Sequence, residues 1–169
     1  MAQLSPFQLF GLKPAFTLNA ELLETRYQAA MMTVHPDRFA DRPAAERRVA
    51  EQWSARINEA ADLLRSPVRR AAWLCENAGF SVGAETNTAM PADFLMTQIE
   101  WREALEEAGD DQGKIASIFA QTDAVRGETL ARLADAVDGR ADWQAAVDIT
   151  RRLMFIERFL EEVSKKVKH

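Results

Sequence analysis

Pro36 constrains the fold of this chain more than any other residue, because it cuts a helix-rich stretch in two. Proline lacks an amide donor, and the residue before it, His35, is pushed out of helical geometry. An amphipathic pattern begins at Asn19, a good N-cap residue, and places Leu23, Tyr27, Ala30 and Val34 on one face. It must stop near Val34. A second pattern begins around Asp41 to Pro43 and carries Val49, Trp53, Ile57, Ala60 and Leu64 on one stripe, until Ser66-Pro67 breaks or bends it. Two long helices joined by a short loop pack as an antiparallel hairpin. A shorter helix precedes them, from about Ser5 to Phe10, with Ser5-Pro6 as cap and first residue and Gly11 as its end.

The rest of the chain is helical in the same sense. Only 7 of 169 residues are Gly and 6 are Pro, and 47% are hydrophobic, which suits a packed helical core. Residues 77–90 interrupt this bias with Gly79, Ser81, Gly83 and Asn87, followed by Pro91, and read as a linker. Beyond it lie three helical patterns: about 91–108 ending at Gly109, about 112–137, and about 141–167 after Gly139. In the last, Ile149, Leu153, Ile156, Leu160, Val163 and Val167 alternate spacings of four and three, the seam of an antiparallel bundle. An all-α chain in two domains is expected, split between 77 and 90.

Several function classes are disfavoured by content alone. A net charge of −5 gives no global pull toward nucleic acid or an anionic membrane. No apolar run is long enough to span a bilayer, and Met1 to Phe10 lacks the pattern of a secretory signal, so a cytoplasmic location is expected. Cys75 is the only cysteine and sits in an apolar stretch, where it reads as a buried structural thiol. With His35 and His169 as the only histidines, neither a structural zinc site nor a metal-carboxylate bundle finds its ligands. No metal and no cofactor are expected. An enzyme using His35 and Asp37 as an acid–base pair would need a concave, water-excluded site that a tight loop between exposed helices does not offer.

Two surfaces carry the functional signal. The first is His35-Pro36-Asp37, in the loop between the long helices, where Pro36 stiffens the turn and Asp37 presents a charge able to pair with a guanidinium. On its residues alone, this loop reads more readily as a helix stop followed by a cap. The second is the helix that begins near residue 91. Phe94, Trp101, Leu105 and Ala108 form one stripe, while Leu95, Met96 and Ile99 point the other way beside Glu100, Glu103 and Glu107. One stripe serves the bundle. The other is either a protein-binding face or cover for the first domain.

Leu4-Ser5-Pro6-Phe7-Gln8-Leu9-Phe10-Gly11-Leu12, the HPD loop, and Ile57-Asn58-Glu59-Ala60 followed by Leu64, Pro67 and Arg70-Ala71 together resemble a J domain over residues 4–76. With the short linker, Phe94-Leu95-Met96 and the Glu-rich helix, the whole chain resembles the HscB family of J-type co-chaperones, in its bacterial form without zinc-binding cysteine pairs. The resemblance implies a J domain at 1–76, a linker at 77–90 and a three-helix domain at 91–169, arranged in an L. It also implies no enzymatic activity and two protein partners, with no nucleic acid and no membrane. The first partner is the DnaK-class chaperone HscA, whose ATPase is stimulated through His35, Pro36, Asp37 and Arg38, with Arg26 on the second helix. The second is the iron–sulfur scaffold IscU, contacted by Leu95, Met96, Ile99, Glu100, Glu103, Glu107 and Phe155. Phe155 lies off the bundle seam and is expected to be an exposed aromatic. Met32 and Val34 stand where the family has a basic residue and a Tyr, and Arg38 where Lys is commoner, which thins the positive face of the second helix. A general J protein with a merely structural C-terminal domain is the alternative.

Overall fold

A computed structural model describes residues 4–83 and 92–168. The described residues form helices and turns with no strand, and they divide into two units, Met1–Arg70 and Ala71–His169.

In the first unit, α1 (Pro6–Leu9) opens with a capping box: Ser5 Oγ accepts from the Gln8 amide at 3.1 Å, and Gln8 Oε1 accepts from the Ser5 amide at 2.8 Å. Helix α2 (Ala20–Thr33) starts as expected, with Asn19 Oδ1 accepting from Leu22 N. It ends at the residue pair before Pro36. Helix α3 (Ala44–Arg65) runs to Ser66. Phe7, Phe10, Phe16, Leu23, Ile57, Ala60, Ala61 and Leu64 form the buried interior of this unit. Across the hairpin, Arg65 of α3 makes two bonds to the Glu24 carboxylate of α2, at 2.8 and 3.1 Å, and stacks over the Tyr27 ring. That guanidinium holds the Glu24 carboxyl below its usual range. Arg70 is buried without being orphaned: Nε donates to Phe16 O at 2.7 Å and Nη1 to Leu64 O at 2.6 Å.

Two details differ from the sequence reading. Val49 is 51% exposed and Ala50 is buried in its place, so the α3 stripe runs one residue later at its start. A separate helix, α4 (Pro67–Asn77), follows the break at Ser66, and most of it belongs to the second unit. By its contacts, most of α4 therefore counts with the second unit. The cause is packing within the second unit. Ala71, Leu74, Cys75 and Val82 are all buried, and Arg151 Nε donates to the Val82 carbonyl at 2.7 Å. Residues 84–90 of the expected linker lie outside the described residues.

The second unit is built on α5 (Ala92–Ala108), α6 (Gln112–Ala134) and α7 (Trp143–Lys166), with a π-turn at Asp135–Gly139 where a plain helix end was expected. The α7 seam is buried at Ile149, Leu153, Ile156, Leu160 and Val163, and Phe159 joins it fully buried. Trp101 links two parts of the core, edge-on to Phe94 and stacked on Phe159 at 5.4 Å. Cys75 is buried as expected, and burial pushes its thiol up. Gly127, a costly residue in a helix, faces open space, so no packing demand explains it.

Candidate functional site

Pro36–Arg38 form a single 3-10 turn between α2 and α3, and each expected loop residue has a distinct position there. The Asp37 side chain is 92% exposed, and that of His35 is 48% exposed. His35 Nδ1 accepts the Asp37 amide at 3.2 Å and lies 3.6 Å from the Asp37 carboxylate. Arg38 reaches back so that Nη1 donates to the Met32 carbonyl at 3.3 Å, near the end of α2. Its guanidinium thus braces the loop as well as charging it. Beneath the turn lies a cavity of about 180 Å³ lined by Val34, Pro36, Phe39, Arg47, Ala50 and Ser54, among others. Phe39 and Arg47 were not singled out from the sequence. Their signal was the position of an aromatic three residues after Pro36, and of Arg47 one residue short of a turn before Ala50.

Arg26, which the family resemblance implies for the chaperone contact, is exposed and also makes a bond within the first unit. Its Nη1 donates to the Phe10 carbonyl at 2.9 Å, tying the end of α1 to α2. A Cβ at Gly11, whose φ is +63°, would come within 2.8 Å of the same nitrogen. Glycine is required there for both reasons. Arg26 is the one basic residue of α2, and it is exposed while one of its nitrogens is tied to the Phe10 carbonyl. Met32 is 60% exposed and Val34 half-buried. Further exposed guanidinium groups follow along the chain at Arg38 in the turn, Arg42 in the loop after it, and Arg47 and Arg48 at the start of α3.

On the second unit, α5 has the two faces read from its sequence. Phe94, Leu105 and Ala108 are buried, with Trp101 half-buried, whereas Leu95, Met96 and Ile99 are 46%, 60% and 44% exposed. Glu100, Glu103 and Glu107 are exposed beside them. Helix α5 is fixed by charge as well as packing. Arg152 of α7 pairs with both Asp93 oxygens at 3.2 Å, and Arg102 pairs with Glu162 at 3.0 and 3.2 Å. The Arg152 guanidinium holds the Asp93 carboxyl below its usual range. Phe155 corrects an expectation. It is half-buried against Phe94, Ile156 and Leu160, with Arg158 over its ring at 5.5 Å, so it is not an exposed aromatic. Among the described residues no group of His, Cys, Asp and Glu could hold a metal ion, and no helix is long and apolar enough to cross a membrane.

A helical hairpin with His-Pro-Asp at its bend, followed by a separate helical unit with an unfilled apolar face, defines the J-type class of co-chaperones. The comparisons specify it further. Residues 90–164 match the model of the HSCB C-terminal oligomerisation domain. The chain is 46% identical to the co-chaperone protein HscB homolog of Bordetella avium over 158 residues, 94% of each chain. It is 43% identical to the homolog from Burkholderia thailandensis, covering 96% of this chain and 94% of that one. Chaperone HscB from Vibrio cholerae superposes with a TM-score of 0.85 at 32% identity, over 96% of each chain. Human co-chaperone HscB does so with a TM-score of 0.90 at 25% identity, over 96% of this chain and 81% of that one. The chain belongs to the HscB family of co-chaperones.

Proposed function

We propose that this protein brings an IscU-type iron–sulfur scaffold to an HscA-type chaperone in the cytoplasm and stimulates that chaperone's ATPase. In this reading the first unit docks on the ATPase through the loop formed by His35, Pro36, Asp37 and Arg38, with Arg26 on α2. The second holds the scaffold on Leu95, Met96 and Ile99, with Glu100, Glu103 and Glu107 around them and Phe155 supporting the face from within. The functional boundary lies in the 77–90 region. The chain performs no chemistry of its own. Carrying client and docking loop together raises the effective concentration of client at the chaperone, which requires only two binding surfaces.

The observation that carries the reading is the exposure of three adjacent large apolar side chains on one helix whose opposite face is fully used by its own bundle. A helix with a purely structural task needs one stripe, and a second one rimmed by carboxylates suits a protein partner. That weighs against a general J protein with a structural C-terminal unit. The test is ATP turnover by HscA with this chain and IscU added separately and together. Joint addition should stimulate more than the sum of the two, and the excess should vanish when Leu95, Met96 and Ile99 are changed to Ala. Purely additive stimulation, with no complex between this chain and IscU by calorimetry, would leave only the general J-protein reading.

A further inference from the structure

We infer that His35 works through its Nδ1 atom, as the acceptor that closes the Pro36–Arg38 turn and aims Asp37 outward, and not through direct contact with the chaperone. The inference rests on the proposed docking role of this loop. It makes His35 a positioning residue, with Asp37 the group presented to the partner.

The turn leaves one backbone donor to be satisfied at its start. Pro36 has no amide hydrogen. The amides of Arg38 and Phe39 donate to the carbonyls of His35 and Pro36, at 2.9 and 3.0 Å. The Asp37 amide is served by His35 Nδ1 at 3.2 Å. This is the side-chain-to-backbone bond, two residues on, that Asn and Asp make in Asx-turns and N-caps, here supplied by an imidazole. To accept it, Nδ1 must carry no proton, so the neutral ring holds its hydrogen on Nε2.

The rest of the loop is fastened elsewhere. Arg38 is tied back to Met32, and Phe39 lines the cavity against Val34 and Ala50. Neither fixes the peptide that carries Asp37. With the amide of Asp37 held by His35, its side chain stands 92% exposed, within 3.6 Å of the same Nδ1 but bonded to no other described side chain. Half of the imidazole is also exposed, so a direct contact through Nε2 is the competing role. The two nitrogens can be told apart by substitution. Asn places a carbonyl oxygen where Nδ1 sits and can close the turn. Gln places its polar group near Nε2 and cannot.

The test uses the full-length chain and its HscA-type chaperone, measuring ATP turnover against co-chaperone concentration for His35→Ala, His35→Asn, His35→Gln and Asp37→Asn. Loss of a capping bond lowers the fraction of chains with the loop correctly set. It should therefore raise the half-maximal concentration while sparing the maximal rate. His35→Ala is expected to raise that concentration about fivefold or more, the scale of a lost cap. His35→Asn should regain most of the loss, and His35→Gln should stay with Ala. Thermal unfolding should hold near wild type in all three. The reverse order, with Gln active and Asn inactive, overturns the inference in favour of an Nε2 contact. Equal behaviour of all three His35 variants also overturns it, because the cap then has no part. If Asp37→Asn stimulates like wild type, the docking role of the loop falls, and the inference with it.

Discussion

Asp37 is set by bonds that span two and six residues along the chain, from His35 to its amide and from Arg38 to Met32. The face of Leu95, Met96 and Ile99 is set by partners 59 and 60 residues away, through the Asp93–Arg152 and Arg102–Glu162 pairs and the core beneath them. The first surface is a short, polar, self-braced turn whose working group is a charge. The second is a rigid apolar patch whose geometry comes from a bundle. A charge on a turn can be presented by local bonding, because water screens and solvates its surroundings. An apolar patch must be held open against collapse onto its own core, which takes packed helices on the far side.

The comparison is broken or sharpened most strongly at Asp37. Asp37→Asn should leave the stimulated ATPase below about a tenth of wild type, the scale of losing one partner of a charge-assisted pair. Its melting temperature and scaffold affinity should not move, because an exposed carboxylate contributes no packing. Loss of scaffold binding in this variant would mean the two surfaces are not independent. Next in size, truncating Leu95, Met96 and Ile99 together to Ala should weaken scaffold binding by several kcal/mol, at about 2 kcal/mol or more per hot-spot residue and with non-additivity. Unfolding by denaturant should stay near wild type. A large loss of stability with normal binding would turn this face into internal packing. The glutamates are expected to act mainly on association rate and its salt dependence, measurable by stopped flow.

Phe155 separates the two kinds of effect within one unit. Since it is half-buried, Phe155→Ala should cost about 2 kcal/mol of stability, less than a fully buried Phe, and weaken scaffold binding as a consequence. If denaturant midpoints are unchanged while binding falls, Phe155 belongs to the exposed face after all. A smaller effect is expected at Arg26. Arg26→Met removes the bond to the Phe10 carbonyl and should lower stability by about 1 kcal/mol, with the maximal stimulated ATPase retained. Intact stability with weakened docking would make Arg26 a contact residue.

The smallest effect concerns pH. Arg152 depresses the Asp93 carboxyl. A depressed folded-state carboxyl contributes stability above its unfolded value, near 4, and loses that contribution as pH falls through the lower folded-state value. Asp93→Asn should therefore lower stability slightly at neutral pH and converge with wild type under acid. Parallel curves for the two proteins down to the acid limb would mean that this exposed pair adds nothing.

Much of the molecule is legible in the amino-acid order. Pro36 stops α2, Asn19 and Ser5 cap their helices, and the seam of α7 follows from spacing alone. These depend on backbone geometry and on a residue's near neighbours, which the chain itself specifies. The HPD loop was found for the same reason, and the second stripe of α5 by the angle between successive residues. Sequence periodicity fails where a choice lies between adjacent residues on a helix. It assigned Val49 to the interior, but the packing of α3 on its partners took Ala50. It read Phe155 as exposed because it lies off the seam, whereas the ring is half-buried against the cluster of Phe94, Ile156 and Leu160. Nor does anything local reveal the carbonyl sixteen residues earlier that the Arg26 guanidinium reaches. Long side chains choose among partners brought near by the fold, and composition cannot list those partners. The same limit explains α4. Its helical character was hidden in the break at Ser66-Pro67, and only tertiary packing shows that most of it counts with the second unit. Order along the chain determined the helices, the loop and the apolar face; tertiary packing decided which charges stay available, because a buried or tethered guanidinium is recognisable only from what surrounds it.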